Sequence, residues 1–163
     1  MKFIVFSLCL ICFVLTEISA QKLYVKTLIL RIDSLNKAEQ WEQSVEQSTI
    51  LLTKDETENS DSLRVFCQLN FANAFWKLNK IDLAQSYLDF VFNHYSTFSE
   101  EEQSQQGQLI IAAWCLQSHL FLQQKDKTKA EIYWNLIQKN CHWAEKDSYS
   151  NSKIEELRLK IQE

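Results

Sequence analysis

The chain carries no proline and a single glycine, Gly107, in 163 residues. Tight hairpin turns lean on glycine, asparagine and proline, because those residues supply a positive φ or preset a negative one. A sheet folded from this sequence would lack its corners. Helices need neither residue in their interiors and are weakened by both, so the chain is expected to be all-α, with polar connectors between helices. Apolar residues make up 46% and charged residues 23%, proportions with which a helical chain can close a core. The length suits one domain. The net charge of −4 is dispersed and forms no basic stripe, which argues against a nucleic-acid partner.

The first segment differs from the rest. Lys2 precedes an apolar run from Phe3 to Leu15 interrupted only by Ser7, and Thr16-Glu17-Ile18-Ser19-Ala20 leads to Gln21. That run falls short of the roughly 20 residues that span a bilayer as a helix, and the small residues Ser19 and Ala20 stand where a signal peptidase cuts. Residues 1–20 are therefore expected to be a secretory signal cleaved between Ala20 and Gln21. Residues 21–163 would remain as one exported domain, periplasmic or extracellular, with no stable membrane insertion. Neither Cys9 nor Cys12 follows the small residues of a lipid-attachment box. After cleavage Cys67, Cys115 and Cys141 remain, an odd number without CxxC or Cys/His ligand spacing. Buried thiols acting as small apolar groups suit Cys67 and Cys115, which lie in apolar runs.

Apolar spacing near 3.6 predicts helices over about Lys22–Ser34, Ala38–Thr53, Ser62–Leu78, Ile81–His94, Gln106–Gln124, Thr128–Asn140 and Ser152–Gln162. Leu23, Leu28, Leu30, Ile32 and Leu35 form the apolar set of the first. Trp41, Val45, Ile50 and Leu51 or Leu52 are the inward set of the second. Polar connectors are expected at Lys54–Ser60 and Ser96–Gln105, and around Cys141-His142-Trp143 and the residues that follow. The order is a long helix, a short corner and a second helix, then a polar connector and the same again.

These pairs resemble the tetratricopeptide (TPR) repeat. The middle pair carries Phe71-Ala72, Phe75, Asn79 at the corner, then Ile81, Ala84, Leu88 and Val91. The third pair carries Trp114, Ser118, Phe121, Ala130, Trp134 and Ile137, and the first carries Leu28, Ile32, Leu35, Trp41, Ser44 and Leu51. Small residues at Ala72, Ala84, Ser118 and Ala130 suit close approach of two helices, with aromatics filling the wedge between pairs. The sequence departs from the family at the corners, where Asn79 and Lys125 replace glycine, and in the absence of a closing proline. Its spacing from Ser44 to Ala84 is 40 residues and from Ala84 to Ala130 is 46, longer than the family's repeat.

The resemblance implies a TPR-like α-solenoid of stacked antiparallel helix pairs, closed by the last helix as a cap around Leu157. It further implies a concave face lined by the first helix of each pair. Phe66, Leu69, Asn73, Trp76 and Lys77 would face it from the middle pair, and Cys115, His119, Leu122 and Gln123 from the third, with Asn70 at a further binding-type position. Amides and an aromatic suit an extended peptide, so Asn70, Asn73, Trp76, Lys77, His119 and Gln123 are the candidate partner-binding residues. Plain packing is the competing account of Trp76 and His119. The family's clamp for a terminal carboxylate is not supported, because Ile29, Ala112 and Leu116 occupy its places.

Catalysis has no motif to stand on. His94, His119 and His142 lie in separate segments without HExxH, and no phosphate loop or GxSxG is present. Adjacency of Cys141 and His142 does not make a nucleophile–base pair, which must meet through the fold. Glu100-Glu101-Glu102 reads as a solvated helix start. The expectation is an exported scaffold that binds a protein or peptide, without catalytic residues, cofactor or metal. A secreted helical bundle holding a small apolar ligand is the alternative, and an enzyme is a third reading.

Overall fold

The computed structural model describes residues 22–54, 60–96, 107–140 and 148–162, with the backbone alone over 148–153. Residues 1–21, with the expected signal and its cleavage site at Ala20 and Gln21, the Glu100–Glu102 run and Cys141-His142 lie outside the described residues. The described residues form seven helices and no strand: α1 (22–37), α2 (Trp41–Leu52), α3 (Asp61–Lys77), α4 (Ile81–Tyr95), α5 (Gly107–Gln123), α6 (Lys127–Asn140) and α7 (Ser148–Gln162). The fold is all-α with adjacent helices packed as pairs. Most bounds fall within a residue or two of the spacing argument. The exceptions are α1, which runs three residues longer, α2, which starts three later, and α7, which begins a turn earlier.

Two compact units meet between Ser60 and Asp61. In the first, α1 buries Val25, Leu28 and Ile32, positions spaced three and four apart. Leu23 and Leu30, expected in the apolar set, lie on the opposite face at 66% and 60% exposed. Helix α2 also departs from expectation, for Ser44, Gln47, Ser48 and Leu51 are buried while Trp41, Val45 and Ile50 are half-buried. The Ser44 hydroxyl donates to Asn36 Oδ1 at 2.7 Å, which satisfies a small polar side chain where α2 meets α1.

In the second unit α3 packs on α4 and α5 on α6. Helix α5 also lies against α3, α4 and α7, and α7 lies against α6. Every substantial helix contact of this unit thus joins helices one or two apart in the chain. Helix α5 is apolar on two sides, as a helix with neighbours on both sides must be. Ile110, Ala113, Leu116 and Leu120 meet Val65, Leu69 and Ala72 of α3 and Ala84, Leu88, Val91 and Tyr95 of α4. Ile111 and Cys115 meet Ile137 of α6 and Leu157 and Ile161 of α7, and Trp114 touches both clusters. Each fully buried Leu or Ile in these layers contributes about 1.5–3 kcal/mol over leaving it in water. The aromatics fill between helices: Tyr87 packs on Phe71 and Phe75 at 5.1 and 5.5 Å, and Tyr133 on Phe121 and Phe92, both at 5.8 Å.

The small residues occupy the close contacts. Ala72, Ala84, Ser118 and Ala130 are fully buried, and the Ser118 hydroxyl reaches the Ala130 carbonyl at 2.9 Å. A side chain that short reaches a neighbouring helix's backbone only if the two helices approach closely.

Three corners share one hydrogen-bond scheme. Glu39, Asn79 and Lys125 have φ of 58°, 58° and 62°, the left-handed conformation that ends many helices. Each amide there bonds three residues back, to Asn36, Trp76 and Leu122. The next amide bonds five back, from Gln40 to Leu35, Lys80 to Phe75 and Asp126 to Phe121. This is the Schellman arrangement, which satisfies the last carbonyls of the first helix. The following helix then opens with Ser44, Ala84 and Ala130 bonding back to Gln40, Lys80 and Asp126. Only the third corner adds a side-chain cap, Asp126 Oδ1 accepting from the Lys129 amide at 3.1 Å.

Candidate functional site between the first helices of two pairs

Helix α3 ends at Lys77, which puts Trp76 in its last turn beside the corner residue Asn79. His119 and Gln123 are four apart on α5 and share one of its faces. Because α5 packs along α3, that face comes alongside Trp76. The indole and the His119 ring stack with centroids 5.0 Å apart and planes at 22°. Trp76 Nε1 donates to Gln123 Oε1 at 2.8 Å, and Gln123 Nε2 donates to Asn79 Oδ1 at 2.9 Å. An indole can only donate, so it fixes which way the Gln123 amide points and leaves the amide nitrogen for Asn79. Lys77 Nζ lies 4.2 Å from the Trp76 ring, a cation–π contact.

Four of the six candidate residues therefore meet: Trp76, Lys77, His119 and Gln123. Their exposures differ. His119 is only 5% exposed, Trp76 is half-buried, and Lys77 and Gln123 are exposed. Asn73 is half-buried one turn before Lys77, on the same side of α3. Asn70 is buried at 5% on the same helix. Of the other residues expected on the concave side, Leu69 and Cys115 are buried. Cys115 and Leu122 belong to the apolar layer under α7.

Asn79 joins the cluster although sequence reasoning assigned it only to the corner. A second polar contact, on the α4 side of α5, was not foreseen. Gln85 and Gln117 exchange amide hydrogen bonds at 3.0 and 2.8 Å, and Gln85 Nε2 also bonds Asp89 Oδ1 at 2.8 Å. Gln117 is 1% exposed. A glutamine set between Leu116 and Ser118 in an apolar run was the available signal, since a buried amide needs a partner.

Burial holds one thiol and two phenols of this unit in their neutral forms. Burial pushes the Cys67 thiol from 9.0 up to about 12, so it presents no thiolate at neutral pH. Burial likewise raises the Tyr95 hydroxyl, and raises that of Tyr133 with help from the Asp89 charge. His94 lies on α4, edge-on to Tyr95 at 5.7 Å, and His119 on α5. Among the described residues no group of three His, Cys, Asp or Glu side chains gathers at metal-binding spacing, and no helix is long and apolar enough to cross a membrane. The chain matches no protein-family model, no curated protein and no solved structure.

Proposed function

We propose that this is an exported, degenerate tetratricopeptide-type scaffold that holds a protein or peptide partner along the first helices of its pairs, without catalysis. The observation that carries the reading is the Trp76–His119–Gln123–Lys77 cluster. It joins the first helices of two successive pairs, and it combines a half-buried indole with an exposed amide and an exposed ammonium. An indole gives a partner apolar contact area, and amide and ammonium groups give direction to an extended backbone. The repeated corner geometry supports the repeat assignment. Within the second unit the substantial helix contacts join helices one or two apart, which supports a stack of pairs with α7 as its cap. The N-terminal run and Ser19-Ala20 support export, with Ala20 and Gln21 flanking the cut. On this reading Asn73 extends the binding face from Trp76 and Lys77, and Asn70 packs beneath it.

Trp76→Ala tests the proposal. Partner retained from the exported fraction by the immobilised mature chain should bind the variant about 1–3 kcal/mol more weakly, the range of an aromatic anchor. Thermal midpoints must be measured on the same variant, because the ring also packs. Lost stability with unchanged affinity in the folded fraction would make Trp76 a core residue and remove the binding face.

A further inference from the structure

The corners of the second and third pairs lie side by side. The Gln123 amide bridges Trp76 and Asn79, so residues 76–82 and 123–129 share one edge of the unit. These two stretches carry Lys77, Lys80, Lys125, Lys127 and Lys129 against Asp82 and Asp126, in a chain whose net charge is −4. Asp126 takes up Lys129 at 2.9 Å. Lys77 lies over Trp76 and Lys80 over Phe75, at 4.2 and 5.7 Å, which keeps both ammonium groups beside aromatic surface. Lys125 and Lys127 are exposed, and no aspartate or glutamate among the described residues pairs with either. The edge is thus positive on a negative molecule, and its centre is an indole.

We propose that this corner edge docks an acidic segment of the polypeptide partner. Side-chain carboxylates would meet Lys77, Lys80, Lys125 and Lys127 while an aliphatic or aromatic side chain rests on Trp76. The inference rests on the peptide-binding reading above and adds the chemistry of what is bound. Charge complementarity selects the occupant. A basic segment would crowd like charges against the exposed Lys125 and Lys127, and a neutral one would take water from their ammonium groups without compensation. A carboxylate near Lys77 also leaves the cation–π contact in place, because the ammonium can face the ring and the anion together.

Two labelled synthetic peptides of equal length test it. One alternates Glu with Leu and Phe, and the other has Lys at every Glu position. Each is titrated against the mature chain at low and at high salt. The acidic peptide should bind and weaken steeply with salt. Combined Lys77→Gln, Lys80→Gln and Lys125→Gln substitution should cost it about tenfold or more in affinity, while Lys139→Gln on α6 should leave it unchanged. Lys125→Gln with Lys127→Gln keeps the test valid should the combined variant lose its fold, since neither side chain covers a ring. Preference for the basic or a neutral peptide, with affinity still lost in Trp76→Ala, overturns the acidic-segment inference and leaves the peptide-binding reading standing. Equal competition by a single-stranded oligonucleotide overturns it too. No Trp76-dependent peptide binding at any salt overturns both.

Discussion

The corners offer a controlled experiment, because one backbone conformation is occupied by Glu39, Asn79 and Lys125 in turn. A non-glycine residue in the left-handed region is disfavoured by about 1–2 kcal/mol. Glycine avoids that strain, yet it gives back about 0.5–1 kcal/mol through the greater freedom of the unfolded chain. Lys125→Gly should therefore raise stability by about 0.5–1 kcal/mol, or about 1–4 °C in Tm for a domain of this size. Asn79→Gly should behave differently. Asparagine tolerates the left-handed region better than lysine does, so less strain is relieved. The substitution also removes Asn79 Oδ1, which accepts from Gln123 at 2.9 Å, an exposed bond contributing about 0.5–1 kcal/mol. The two effects cancel or leave a small loss. Glu39→Gly in the first unit should follow Lys125→Gly. Urea unfolding with an unchanged m-value measures all three. A lower midpoint for Lys125→Gly would refute the left-handed corner. An equal gain at Asn79 would show that the Gln123 bridge holds nothing together.

Three further outcomes are expected. Ala84→Leu and Ala130→Leu should each lose about 1–3 kcal/mol by overpacking, and unchanged denaturation midpoints would remove these alanines from the helix contacts. Gln117→Leu should cost about 1–3 kcal/mol by leaving the Gln85 amide with Asp89 alone, and adding Gln85→Leu should recover part of it; strict additivity in the double-mutant cycle would deny the amide pair. Stability should also fall with alkaline pH through Cys67. The native thiol keeps its proton to about 12 while the unfolded thiol loses it near 9.0, so the contribution is complete below the unfolded pKa and declines above it by up to about 1.4 kcal/mol per pH unit. Cys67→Ala should flatten that slope, and identical slopes for the two proteins would count against a buried thiol.

The helices, their pairing order and the corners at Asn79 and Lys125 were legible in the residues, because they follow from short-range causes: apolar period, turn composition and the missing proline. Ala84, Ala130 and Ser118 were legible for the same reason, a small side chain at a fixed distance from a corner. Burial within α2 was legible only in part: Ser44 and Leu51 are buried as the repeat pattern implied, but Trp41, Val45 and Ile50, inward by hydrophobicity, are half-buried, and Gln47 and Ser48 are buried instead. Hydropathy ranks side chains by type, whereas small or hydrogen-bonded polar groups fit close contacts that large apolar ones overfill.

The sequence alone pointed to a run of paired helices, and its family resemblance put Trp76, Lys77, His119 and Gln123 at matching steps of that run. Each of those placements depends on periods of a few residues, which a single helix enforces. The tertiary structure decided that His119 lies buried against the Trp76 ring, that Gln123 bridges the indole to Asn79, and that Gln85 meets Gln117 across 32 residues. It also gathered the five corner lysines, with Trp76, along one edge of the second unit. Such meetings turn on how far one helix is shifted and rotated against the next. Packing over the whole interface sets that shift, and no local pattern in the chain encodes it.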